Sequence, residues 1–220
     1  MEAKQDFGAL RALMVDRQIR PNDIVEPRLI AALRAVARED FLPPGLAGRA
    51  YYDADVMLGG GRALLAPLSI GRLLRALAAE PGMRVLVIGA GTGYGAAVLA
   101  QCGCQVTALE ADADLRAMAE RALVRHAPLV RVIGGEMLAG DPAGAPYDGI
   151  LIEGMVGKLP DALSAQISPE GRLVTILQMR GLGRVIIAKP VAGGGFVQRA
   201  VADCGAPPLT EFFPKAEFVF

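Results

Sequence analysis

Val85-Leu86-Val87-Ile88-Gly89-Ala90-Gly91-Thr92-Gly93-Tyr94-Gly95 is the stretch whose reading decides the fold: a short apolar run, a glycine-rich turn, and the start of a helical pattern. Glycines let the backbone turn sharply and approach a ligand closely, and the helix that follows offers unpaired N–H groups at its start. A strand, glycine loop and helix in that order suit a nucleotide-like ligand.

Outward from this loop the chain alternates short apolar runs with helical patterns, the signature of a parallel sheet with crossover helices. Strands are expected at Arg84–Ile88, Gln105–Glu110, Val130–Ile133, Gly149–Ile152 and Arg172–Leu177, with helices near Tyr94–Gln101, Ala113–Arg125 and Leu159–Ile167. Val185–Ala188 and Phe196–Ala202 flank Gly193-Gly194-Gly195 as a closing antiparallel hairpin, and Glu217–Phe220 could add a last strand. The fold class is therefore α/β, a doubly wound, mainly parallel Rossmann-like sheet. Upstream, helical spacing covers Phe7 to about Arg20, a second helix follows Pro27, and a third runs from about Pro67 to Ala79. Between them residues 41–66 are loop-rich. This gives an N-terminal helical subdomain, 1–80, joined to an α/β domain, 81–220, in one compact unit.

Lys+Arg and Asp+Glu both number 23, so no global field draws the chain to nucleic acid or an anionic membrane. No apolar run approaches the roughly 20 residues that span a bilayer. Neither a nucleic-acid nor a membrane partner is expected. The first residues lack a signal-peptide pattern, which points to the cytoplasm. Cys102, Cys104 and Cys204 offer neither zinc nor redox spacing and read as buried thiols. His126 is the lone histidine, so no multi-histidine metal site exists, and its place near a helix end suits capping. No metal is expected.

Two cofactor classes compete for the loop. Gly91-x-Gly93-x-x-Ala96 satisfies a loose dinucleotide fingerprint, but a fingerprint starting at Gly89, directly after the strand, would place Tyr94 where a small residue is needed. The G-x-G-x-G placement from Gly89 is the form used by methyltransferases dependent on S-adenosylmethionine. Glu110 ends the next strand, where a carboxylate can accept from both hydroxyls of an adenosine ribose.

With this loop, Glu110 and Ala145-Pro146-Tyr147-Asp148 in hand, the chain resembles the protein-L-isoaspartate O-methyltransferases. Further likeness lies in Met14–Arg20, Arg38-Glu39-Asp40-Phe41-Leu42-Pro43, Ala50-Tyr51, the helix after Gly93-Tyr94, Leu159-Pro160, Gln166-Ile167 and Gly171-Arg172-Leu173-Val174. The resemblance implies S-adenosylmethionine as cofactor and S-adenosylhomocysteine as product. Cofactor contacts fall to Gly89, Ala90, Gly91, Gly93, Glu110, Ala111, Glu136 and Met137, with Glu136 in the place of an acid that binds the adenine amino group. It also implies a protein or peptide acceptor, methylation of isoaspartyl carboxylates in damaged proteins, and a monomer or small homo-oligomer.

Three positions depart from the family pattern. Ala63-Leu64-Leu65-Ala66-Pro67 stands where the family has Thr-Ile-Ser-Gln-Pro, removing every hydroxyl from a stretch that would serve the acceptor carboxylate. Val87 replaces an acid at the end of the first parallel strand, and Glu153 stands near the end of the fourth, where a small or hydroxyl residue is usual. Attack by a carboxylate, already ionised at neutral pH, requires positioning more than a general base, so no catalytic residue is assigned. A different, more apolar acceptor and a non-catalytic interaction role stay open beside the repair reading, with a nicotinamide-dependent oxidoreductase more distant.

Overall fold

The computed structural model describes residues 5–214. The chain begins with α1 (Phe7–Met14), capped by the Asp6 carboxylate on the Ala9 N–H, widens into a π-turn over Val15–Ile19, and continues to α2 (Pro27–Ala35). The expected helix from Phe7 to about Arg20 thus forms as a continuous helical run to Asn22, its last turns passing into π and 3₁₀ geometry. A hairpin of β1 (Val56–Gly59) and β2 (Arg62–Leu64) folds within the loop-rich stretch, ahead of α3 (Pro67–Leu77). The alternating units follow: β3 (Arg84–Ile88), α4 (Tyr94–Gln101), β4 (Gln105–Leu109), α5 (Ala113–His126) and β5 (Arg131–Ile133). Next come β6 (Tyr147–Val156), β7 (Ile167–Met179), β8 (Leu182–Pro190) and β9 (Phe196–Asp203).

Seven strands form one sheet in the order β5-β4-β3-β6-β7-β8-β9, parallel through β7 and antiparallel from β7 to β9. This is the doubly wound architecture expected, with the closing hairpin in place. Its central parallel strands are buried on both faces, which is why they read as apolar runs, whereas β5 at the edge is only partly covered. On one face Val85, Val87, Leu151 and Val174 pack with residues of α2, α3 and α4 and with the N-terminal helix Met14. On the other, Leu86, Ile88, Ile150 and Ile152 meet Leu159, Leu163, Leu209 and Phe212.

That second face corrects one expectation. The segment expected as a helix over Leu159–Ile167 is a 3₁₀ turn, Asp161–Gln166, cut short because Ile167 has already joined β7. The three cysteines are buried free thiols, as expected. His126 is the last residue of α5 and sets Nε2 2.8 Å from Asp40 Oδ2, tying that helix to the 38–41 turn. Glu217–Phe220 lies outside the described residues. No helix among these is long and apolar enough to cross a membrane.

Candidate cofactor crevice

The chain leaves β3 for β4 on one side and returns to β6 on the other, so strand order reverses between β3 and β6. A parallel sheet opens a crevice at such a reversal, at the carboxyl ends of its strands. The glycine loop lies there. Gly89 and Gly91 hold left-handed φ of +67° and +57°, which favours residues without a Cβ, and the N–H groups of Gly89 and Ala90 both donate to the Leu109 carbonyl at the end of β4.

Glu110 follows directly, fully buried, with four donors on its two oxygens. Oε2 accepts from the Gly91 N–H at 2.7 Å and Oε1 from the Asp112 N–H at 3.0 Å. The other two donors belong to Arg62 at the start of β2: Nη1 to Oε1 at 2.9 Å and Nη2 to Oε2 at 2.7 Å, a bidentate fork. Arg62 also lies 3.8 Å from Met137 Sδ. A Cβ added at Gly89 would meet Arg62 Nη2 at 3.2 Å and Leu209 Cδ1 at 3.3 Å. The crevice is therefore filled by the chain's own side chains.

Of the residues expected to hold a cofactor, Gly89, Ala90, Gly91, Gly93, Glu110 and Met137 are buried around this point. Ala111, next to Glu110, and Glu136, next to Met137, are exposed. The apolar departures have a packing reason: Leu64 and Leu65 are buried in the first core cluster, and the Leu65 carbonyl accepts from Arg38 Nη2. Val87, opposite Leu151 in the register, is core too. On that same face Glu153 stands two residues further along β6, where β6 holds two more residues than β7 between the pairs Leu151↔Val174 and Met155↔Ile176. Such a bulge re-aims side chains. It sets the Glu153 carboxyl against the Gly95 backbone at the start of α4, leaving no room there for a Cβ. Burial pushes that carboxyl up to about 8, with Arg62 and Arg38 pulling it back and Glu110 raising it.

Sequence reading missed Arg62, and no spacing could have flagged it: 48 residues separate it from Glu110 and only the folded hairpin joins them.

Sheet order, glycine loop and strand-end carboxylate together define a nucleotide-cofactor crevice of the doubly wound class. The family model for protein-L-isoaspartate(D-aspartate) O-methyltransferase matches residues 11–211, and the chain belongs to that family. A protein-L-isoaspartate O-methyltransferase of Methylorubrum extorquens is 41% identical over 173 residues, 79% of this chain and 76% of its own. One from Gloeobacter violaceus is 32% identical over 203 residues, 92% of this chain and 99% of its own. Among solved structures, one assigned to the same family from Plasmodium falciparum, in complex with S-adenosyl-L-homocysteine, superposes with a TM-score of 0.75 at 17% identity, over 94% of this chain and 100% of that one.

Proposed function

We propose that this chain transfers a methyl group from S-adenosylmethionine to isoaspartyl carboxylates of damaged proteins, with the cofactor in the β3/β6 crevice. The observation that carries this reading is the carboxylate of Glu110, held by two backbone N–H groups so that both oxygens face a two-donor fork. A ribose cis-diol offers the same pair of donors as the Arg62 guanidinium, so the site's chemistry fits the cofactor once Arg62 withdraws. Gly89, Ala90, Gly91 and Gly93 would lie along its backbone-facing side, with Glu136, Ala111 and Met137 around the adenine.

When bound, S-adenosylmethionine supplies an electrophilic methyl on a sulfonium. What the protein contributes is placement: Glu110 fixes the ribose, the glycine loop admits close approach, and the buried walls exclude water from the line of attack. The acceptor carboxylate carries its own negative charge and needs no base.

The lack of any hydroxyl in Ala63-Leu64-Leu65-Ala66 favours a second reading, a methyltransferase whose acceptor is less polar, because a carboxylate bound at that stretch would lack hydrogen bonds worth roughly 1–3 kcal/mol each. Incubation with methyl-labelled S-adenosylmethionine and paired isoaspartyl and aspartyl peptides tests the choice. Label on the isoaspartyl peptide alone supports repair. Label on neither, with cofactor bound, turns the assignment to another acceptor.

A further inference from the structure

Four buried polar atoms with no hydrogen-bond partner belong to residues at the glycine loop and the start of α4 or facing them: Thr92 Oγ1, Tyr94 Oη, Arg38 Nη1 and Glu153 Oε1. An orphaned buried polar group is costly, and natural chains retain few of them. These four come from three separate parts of the fold: the 38–41 turn, the loop leading into α4, and the bulge of β6. Arg38 is fully buried and fixed. Its Nε donates to the Ala50 carbonyl at 2.6 Å, its Nη2 donates to the Leu65 carbonyl, and its Cζ lies 4.8 Å from the Tyr94 ring centre, so that the guanidinium charge acts on the Tyr94 hydroxyl.

The mixture of chemistries is informative. A guanidinium and two hydroxyls can donate, whereas an ionised carboxyl can only accept. A phosphate end presents acceptors alone, so it would pair with Glu153 only while that carboxyl keeps its proton and would leave an ionised Glu153 without a donor. An α-amino acid presents both complements at once, an ammonium with three donors and a carboxylate with acceptors on both oxygens.

We infer that Glu153, Arg38, Thr92 and Tyr94 form the subsite for the zwitterionic amino-acid end of the cofactor, Glu153 accepting from the ammonium while Arg38 Nη1 and the two hydroxyls donate to the carboxylate. This rests on the reading that the crevice holds S-adenosylmethionine. Glu153 supplies there, from the neighbouring strand, a carboxylate on the face that Val87 occupies with core packing. The groups acting on Glu153 are Arg62 from β2, Arg38 from its turn, Glu110 beyond β4 and Tyr94 from α4. With its pKa near 8, Glu153 carries a proton at neutral pH in the free chain. An arriving ammonium favours the ionised form, so that proton passes to the buffer on binding.

The test is calorimetric titration of the full chain at pH 7, in two buffers of different ionisation enthalpy, with S-adenosylhomocysteine and with 5′-methylthioadenosine, which lacks the amino-acid end. S-adenosylhomocysteine is expected to release close to one proton per molecule bound, and 5′-methylthioadenosine none. Glu153→Gln, which keeps the side chain's size, should weaken S-adenosylhomocysteine by about 10- to 100-fold, abolish the proton release, and leave 5′-methylthioadenosine unchanged. Equal losses for both ligands in E153Q, or an S-adenosylhomocysteine affinity that the variant does not alter, would overturn the subsite while leaving the crevice reading standing. Binding of neither ligand to the parent chain would overturn both.

Discussion

Arg62 holds two of the four hydrogen bonds on Glu110, and a ribose diol would need the same two. The arginine therefore competes with the cofactor from within the chain. A latch worth only about 1.4 kcal/mol net would still lower apparent affinity tenfold. Arg62→Ala should thus tighten S-adenosylhomocysteine binding by about tenfold or more, read by titration. It should also lower the melting temperature of the free protein, because removing one partner of a buried pair strands the other at roughly 3–5 kcal/mol. Unchanged affinity would show that the ion pair does not guard the crevice. Burial raises the pKa of Glu153 from 4.5 to about 8, so between those values the folded chain binds more protons than the unfolded one. Its contribution to stability is fully present below pH 4.5 and drains away as pH rises to 8. Thermal unfolding of Glu153→Gln across pH 5–8 should show a flatter profile than the parent and a higher melting temperature at pH 8; parallel profiles would refute the buried acid.

At the scale of elements, the C-terminal segment after β9 closes the crevice. Met155 N–H donates to Pro207 O at 3.1 Å, Leu209 N–H to Met155 O at 2.8 Å, and Lys158 N–H to Phe212 O at 3.2 Å, so the segment is laced along the end of β6. Leu209 then packs so closely on Gly154 that an added Cβ would lie 2.8 Å from its Cδ1. Gly154→Ala should push this clasp off β6, destabilising the chain by about 1–3 kcal/mol and speeding amide exchange in residues 205–213 ahead of the sheet. Exchange no faster than the parent's would contradict the clasp. The expected Arg84–Ile88 and Tyr94–Gln101 match β3 and α4 residue for residue, since a doubly buried parallel strand is an apolar run and the glycine loop marks where the helix starts. The β1–β2 hairpin was hidden because strands of four and three residues around Gly59-Gly60-Gly61 carry too little alternation to register. The helix expected over Leu159–Ile167 is a 3₁₀ turn, since β7 claims the chain from Ile167 onward. Glu110 was legible through its distance from the glycines, whereas the fork of Arg62 upon it exists only in tertiary structure.

For the molecule as a whole, the sheet places three acidic or basic decisions at one reversal of strand order: Glu110 beyond β4, Arg62 from the hairpin, and Glu153 from the bulged end of β6. The family match extends over residues 11–211, and Leu65, Val87 and Glu153 all lie within it. The core explains two of them, Leu65 and Val87, as packing residues, and the acid lost at 87 has a counterpart on the adjacent strand. The central claim is that this crevice binds S-adenosylmethionine through Glu110. It is tested most directly by titrating S-adenosylhomocysteine into the parent chain and into Glu110→Ala. Saturable one-to-one binding to the parent, weakened at least tenfold in a variant shown by circular dichroism to remain folded, is the expected result. No binding to the parent, or equal binding to both, would contradict it.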